Sequence, residues 1–306
     1  MENEVNISYI TLDGYMDMNK YRYLYFTILF IVYVLIICTN CIILYLIWSN
    51  KSLHKPMYIF IAALLFTIVL SSIIIYPKLL TDILSEKQII SYSACIFQFF
   101  MFYTLGGTEF ILLAAMSFDR YVAICKPLKY HTIMTKTTVK NVLILAWLFP
   151  ACHITVTAMV SAKAKLCSLT LNGIICNNAV FTLQCVRPKF LTVFGLVSLL
   201  DLAILPMLFT VFTYAKIFQI SYQNFKTHKR KVAETCIPHL LVLINSSYLT
   251  VYDVIIARVE SNFPKTARFV MTLQIFLYHP LINPLIYGLK LNEISKHLRS
   301  FSLRRV

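Results

Sequence analysis

Three carboxylates lie inside long apolar stretches of this 306-residue chain, where an ionised group is costly. They are Glu109, Asp201 and Asp253. A charged side chain at the centre of a bilayer costs about 2.5–3.5 kcal/mol on insertion scales, so such a group usually faces the interior of a helical bundle and has a role. Asp201 and Asp253 could bind a cationic ligand group, or could be hydrogen-bonded interior acids or snorkel outward. Glu109 could be a buried hydrogen-bonded acid or a weak ion site.

A further charged pair, Asp119 and Arg120, stands at the end of the third apolar stretch. One interpretation is an ion pair or a snorkelling anchor at the membrane boundary. The other is a two-state element, in which the carboxylate holds the guanidinium in one state and releases it to a partner in another.

Four of the nine cysteines, Cys95, Cys167, Cys176 and Cys185, lie near or in one long loop. Four cysteines allow three disulfide connectivities. A zinc site is disfavoured, because the loop cysteines are nine residues apart with no histidine between them. The other five are expected to stay outside disulfides: Cys38, Cys41, Cys125, Cys152 and Cys236.

The composition predicts an integral membrane protein. Of the residues, 59% are hydrophobic and 13% are charged, whereas a soluble domain has about 25% charged residues. No nucleophile–base set or metal-ligand cluster indicates an enzyme, and no cofactor is expected.

Seven continuous apolar stretches can position these residues. Each is long enough to cross a bilayer as a helix, whereas barrel strands would show shorter alternating segments. The predicted fold is therefore an all-α membrane protein, a seven-transmembrane helix bundle followed by a short amphipathic helix. The stretches lie near 23–48, 57–80, 93–118, 139–160, 190–217, 233–257 and 267–289.

The charges of the connecting segments predict the orientation. One side carries a net +14 and the other +4, and the more positive side is expected to be cytoplasmic. The domains are then an extracellular N-terminus at 1–22 with a glycosylation sequon at Asn6, a receptor domain at 23–289, and a cytoplasmic amphipathic tail at 290–306. Anionic lipid is a likelier partner for this charge than nucleic acid.

The motifs resemble one family. Residues 116–125 read MSFDRYVAIC, which resembles the MAYDRYVAIC signature of odorant receptors, a branch of the rhodopsin-like G-protein-coupled receptors. The fragments GGTE at 106–109 and YPKLL at 76–80 resemble the fish branch. Other matching segments are LHKPMY at 53–58, KPLKY at 126–130, Thr235-Cys236 with His239-Leu240, and PLINPLIY at 280–287.

The resemblance implies an odorant receptor in the plasma membrane that activates a heterotrimeric, olfactory stimulatory G protein on its cytoplasmic face. The tyrosines at 214 and 287 could instead be membrane-interface anchors. The implied coupling residues, which act with the basic loop at 226–231, are Asp119, Arg120, Tyr121, Tyr214, Asn283, Pro284 and Tyr287.

The resemblance also implies a small-molecule pocket and two disulfides, Cys95–Cys176 and Cys167–Cys185. Asp201 and Asp253 would favour an amine there, and the two glycines would either enlarge the pocket or pack helices closely. By depth along each helix, the pocket residues are Phe102, Tyr103, Gly106, Gly107, Ser198, Asp201, Leu202, Tyr252 and Asp253.

The chain departs from the family at Glu109. In the family this acid and an aspartate on the second helix hold a sodium ion, but the aspartate position is Ile68 here. Sodium binding at Glu109 is therefore in doubt, and Glu109 is otherwise expected to be protonated or to bond to Asn283, Asn40 or Ser72.

Two other functions remain open. One is a non-olfactory rhodopsin-like receptor for an amine or another small ligand. The other is a transporter or channel, which the lack of an internal repeat disfavours. An opsin is disfavoured because 267–289 contains no lysine.

Overall fold

The computed structural model describes residues 9–16, 21–186, 188–223, 236–237, 239–248, 250–251, 264–290 and 293–296. Within these residues, six helices are long and apolar enough to cross a membrane. The helical residues 236–237, 239–248 and 250–251, together called α8, fall in the remaining predicted span. The seven-helix fold is confirmed.

The helices follow the predicted spans closely. Residues 293–296 are also helical, within the predicted amphipathic tail, and the rest of 291–306 lies outside the described residues. The helices are α1 (Arg22–Ser49), α2 (Pro56–Leu84), α3 (Tyr92–Cys125), the short α4 (Tyr130–Ile133), α5 (Lys136–Ala162), α6 (Lys189–Leu199), α7 (Leu205–Gln223) and α9 (Lys265–Lys290).

Helix α3 is longer than the predicted stretch at 93–118. It continues to Cys125, so Asp119, Arg120 and Tyr121 lie inside its last turns and not after its end. Proline disfavours the helical conformation of the residue before it. The helix accordingly ends at Cys125, and Lys126, which precedes Pro127, has left the helical region.

A wide helical turn joins α6 to α7. Residues Leu200–Ile204 form a π-helical turn, and the backbone N–H of Leu205 reaches the carbonyl of Leu200. Pro206 follows directly, and proline has no N–H for the carbonyl four residues earlier. Such turns change which side chains face inward.

One end of the bundle carries a small three-stranded sheet that the apolar pattern did not predict. Strand β1 (Tyr9–Leu12) pairs antiparallel with β2 (Ile89–Ser91) and parallel with β3 (Thr170–Leu171). Strand β1 therefore ties the N-terminal segment to two loops. This end of the bundle is called the sheet end below.

Tyr15 anchors the segment after β1 to the helices. Its hydroxyl donates to Asp82 Oδ2 at 3.2 Å, and Asp82 also pairs with Lys78. Burial, followed by the negative charge of Asp82, raises the pKa of Tyr15 well above its usual value. The phenol therefore stays protonated and remains a donor.

Gly14 permits the close approach of this segment to the loop after β3. Its N–H donates to the carbonyl of Gly173 at 3.2 Å. A Cβ on Gly14 would lie 2.4 Å from the carbonyl carbon of Gly173 and 2.7 Å from the nitrogen of Ile174. Both are backbone atoms, so the contact cannot be relieved by a side-chain rotation.

Gly14→Ala should lower the thermal unfolding midpoint of the purified protein in detergent, because overpacking typically costs about 1–3 kcal/mol. The matched control is Gly195→Ala on α6, where an added Cβ meets nothing within 4 Å. That change should be neutral or stabilising by up to about 1 kcal/mol, since alanine favours helix. Equal midpoints for the two variants would contradict this account of Gly14.

Candidate functional site

A cavity of about 670 Å³ lies among α2, α3, α5, α6, the π-helical turn, α8 and α9. Its wall is mainly apolar, with a few hydroxyl and ionisable groups. Of the residues predicted for a pocket, Tyr252 and Asp253 lie outside the described residues. The structure brings six of the others to the wall: Phe102, Tyr103, Gly106, Gly107, Ser198 and Leu202.

Asp201 is absent from the described cavity wall, contrary to expectation. It lies in the π-helical turn, and its neighbours Leu202 and Ala203 line the cavity instead. The extra residue in this turn rotates the side chains that follow it relative to their directions in a continuous α-helix. Depth along a regular helix therefore predicted the wrong orientation for Asp201.

The two glycines of α3 have different surroundings. An added Cβ on Gly106 would meet nothing within 4 Å, whereas one on Gly107 would lie 3.1 Å from Pro150 Cβ and 3.4 Å from Leu202 Cβ. Gly106 therefore enlarges the cavity, and Gly107 permits close packing of α3 against α5 and the π-helical turn. Of the two roles considered for these glycines, Gly106 has the role of enlarging the pocket and Gly107 has the role of packing helices closely.

The loop between α5 and α6 forms the wall at the sheet end. The structure contains the two disulfides that the resemblance implied, Cys95–Cys176 and Cys167–Cys185. Tyr103 Oη accepts from the N–H of Asn178 at 3.0 Å. The loop residues Asn178, Phe181 and Thr182 also line the cavity, and sequence reasoning missed them because no regular pattern places a loop.

The opposite end of the cavity, called the floor below, carries a hydrogen-bonded network. His279 Nε2 lies 2.6 Å from Glu109 Oε2, and His279 Nδ1 lies 3.1 Å from Asn245 Nδ2. Asn283 Nδ2 lies 3.4 Å from His279 Nε2. The three connected helices are α3, α8 and α9.

The expected partners of Glu109 were therefore wrong, since none of Asn283, Asn40 or Ser72 bonds to it in the described structure. Ser72 donates to the carbonyl of Ile68 within α2. No cluster of three or more His, Cys, Asp or Glu ligands occurs in the part of the chain that the structure describes. Sodium binding at Glu109 stays a prediction. The His279 imidazole already occupies one oxygen of the Glu109 carboxylate.

Two prolines in α9 place His279 and Asn283. Proline leaves the carbonyl four residues earlier without its helical donor, and in a membrane that carbonyl needs another partner. The carbonyl of Phe276, four residues before Pro280, accepts from the Tyr76 hydroxyl at 2.8 Å. The carbonyl of Pro280, four residues before Pro284, accepts from the Asn40 amide at 3.2 Å.

Asp119 is the centre of a second network, at the end of the bundle away from the sheet. Arg120 Nε donates to Asp119 Oδ2 at 3.0 Å, and Tyr130 donates to Asp119 Oδ1 at 2.8 Å. Burial, followed by the charge of Asp119, raises the pKa of Tyr130. Sequence reasoning quoted Tyr130 in a motif but gave it no partner.

Tyr214 and Tyr287 are buried inside the bundle. They are 2% and 0% exposed, so they are not membrane-interface anchors. Tyr214 packs with Ile217 and Cys236, while the ring of Tyr287 lies 5.5 Å from that of His239. Neither hydroxyl has a hydrogen-bond partner among the described residues.

Comparison with known proteins places these features in one family. The family model described as olfactory receptor matches residues 29–304. Olfactory receptor 6B9 of Mus musculus is 30% identical over 302 residues, covering 98% of this chain and 95% of the relative. Olfactory receptor 11G2 of Homo sapiens is 33% identical over 284 residues, covering 91% and 81%.

Tyr130→Phe should destabilise the folded protein by about 1–3 kcal/mol, because it removes a donor from the buried Asp119 carboxylate. The measurement is the thermal unfolding midpoint in detergent. Tyr278→Phe is the control, since Tyr278 is 53% exposed and should tolerate loss of its hydroxyl. A Tyr130→Phe midpoint equal to that of the control would show that the bond to Asp119 contributes nothing.

Proposed function

The chain belongs to the olfactory receptor family, and on that premise we propose that it binds a small organic odorant in the central cavity and activates an olfactory stimulatory G protein. Membership makes it a receptor and not an enzyme, and a multi-pass membrane protein.

The cavity is the observation that carries the ligand proposal. Small-molecule sites typically measure about 300–1,000 Å³ and combine apolar walls with a few polar groups, and 670 Å³ lies in this range. Phe102 and Phe276 supply aromatic surface in edge-to-face contact, while Ser198 and Thr250 supply hydroxyls on the wall. An uncharged or weakly polar organic molecule suits this lining.

The described wall gives an amine ligand less support than the sequence did. Asp201 does not line the cavity, and Asp253 lies outside the described residues. Glu109 lines the floor but already has His279 as its partner. We therefore propose an odorant that needs no separate carboxylate counter-ion.

Three observations support the coupling proposal. Asp119 holds Arg120 at the end of α3, which is the arrangement expected of a pair that can later release its guanidinium. Tyr214 and Tyr287 carry buried hydroxyls that a second arrangement of the helices could satisfy. Asn283 and Pro284 lie on α9 directly between the floor of the cavity and Tyr287.

The plasma membrane location, with the N-terminus outside, is part of the same proposal. The positive-side charge count supports it, and two disulfides at the sheet end suit an oxidising compartment. The glycosylation site at Asn6 and the basic loop at 226–231 lie outside the described residues and remain predictions.

Cells that express the receptor with the olfactory stimulatory G protein should raise cyclic AMP in response to at least one member of a broad odorant panel. Arg120→Ala should abolish the response, because it removes the guanidinium that is offered to the G protein. Gly106→Leu should lower odorant potency at least tenfold by filling the cavity, since Gly106 faces open space.

The matched control is Thr67→Val, a buried α2 residue whose hydroxyl bonds to the carbonyl of Ala63 in its own helix. Surface expression is measured for every variant with an N-terminal epitope tag. Wild-type protein that reaches the surface, yet gives ion currents and no cyclic AMP across the panel, would favour a transporter or channel instead.

A further inference from the structure

We propose that His279 is a positioning residue that holds the receptor inactive by joining α3, α8 and α9 through Glu109 and Asn245. This inference rests on the proposed signalling function and adds a specific restraint to it. The network is called the floor latch below and consists of Glu109, His279 and Asn245. Its bonds are 2.6 Å and 3.1 Å long.

The chemistry of the imidazole suits this role. A neutral histidine has one ring nitrogen that donates and one that accepts. With Nε2–H donating to the Glu109 carboxylate, Nδ1 is free to accept from the Asn245 amide, and both observed contacts are satisfied at once. One flat ring therefore serves two different helices with opposite hydrogen-bonding roles.

Burial makes the latch costly to open without compensation. Glu109 and His279 are each 8% exposed, and removal of one partner of a buried pair leaves the other group uncompensated, which is costly. Ile68 faces the same cavity from α2 and offers no polar atom. Separation of α9 from α3 therefore leaves Glu109 without its observed partner, and separation of α8 from α9 leaves His279 Nδ1 without Asn245.

The position of the latch connects the cavity to the proposed coupling residues. Glu109 and His279 form part of the cavity floor, together with Ser246 one residue along from Asn245. Further along α9, Asn283 contacts His279, and Tyr287 is one turn beyond Asn283. A ligand that reaches the floor can compete for these hydrogen bonds, and the freed helices can then move at the opposite end.

The test is a double-mutant cycle read out by ligand-independent cyclic AMP at matched surface expression. Glu109→Ala, His279→Ala and the double variant should each raise basal signalling by at least about fivefold, the low end of typical coupling between sites. The basal signal of the double variant should be about the same as that of either single variant, because each single change already opens the latch. Asn245→Leu should raise the signal less, since it leaves the Glu109–His279 pair intact.

Thr108→Val is the matched control for a merely structural effect. Thr108 is buried beside Glu109 on α3, and its hydroxyl bonds to the carbonyl of Thr104 in the same helix. The latch predicts an unchanged basal signal for this variant. In a receptor whose wild-type form raises cyclic AMP in response to an odorant, basal signals that stay at the wild-type level in Glu109→Ala and His279→Ala, or that add independently in the double variant, would overturn the proposal.

A second readout does not need a G protein. Cys236 lies at the start of α8, is 0% exposed and packs with Tyr214 and Ile217. If the latch restrains α8, His279→Ala should raise the rate of Cys236 alkylation by N-ethylmaleimide in membranes at least about fivefold, as measured by peptide mass spectrometry. An unchanged rate would overturn the latch.

The two readouts separate this inference from the proposed function. Faster Cys236 labelling without cyclic AMP from any variant would support the latch and contradict the coupling proposal. A wild-type odorant response with unchanged basal signal and labelling in the variants would leave the receptor function intact and contradict the latch.

Discussion

The need to satisfy every backbone carbonyl inside a membrane determines how the helices meet at α9. Pro280 and Pro284 each leave one carbonyl of α9 without a helical donor, and donors from two other helices replace them: Tyr76 of α2 and Asn40 of α1. These bonds hold the stretch of α9 that carries His279 and Asn283. The prolines thus create the attachment points that fix the polar residues beside them.

Helix α3 provides the axis along which the other networks are arranged. Cys95 links its beginning to the loop disulfide, Gly106 opens the cavity, Glu109 reaches His279, and Asp119 holds Arg120 near its end. Cys95 joins α3 to the loop after α5, Glu109 joins it to α9, and Asp119 joins it to α4 through Tyr130. Helix α3 therefore carries contacts from the sheet end of the bundle to the Asp119 network at the other end.

Much of the fold was predictable because apolar length and charge asymmetry are local properties of the chain. The seven spans, the two cysteine pairs given by the family resemblance, and six of the nine pocket positions all follow from position along a helix or from a motif. Asp201 was misplaced because the π-helical turn before Pro206 breaks the regular register. The sheet formed by β1 was missed because its partners are more than 70 residues away in sequence.

The sequence by itself determined that this is a seven-helix membrane receptor of the odorant type, since long apolar runs and the MSFDRYVAIC and PLINPLIY segments are readable without contacts. It also showed that Glu109 lacks an acidic partner at Ile68. Only the tertiary structure decided that His279 takes that place and that Tyr130 completes the Asp119 network. The physical reason is that hydrogen-bond partners in a bundle come from neighbouring helices, and helix rotation and kinks, not spacing along the chain, decide which side chains meet.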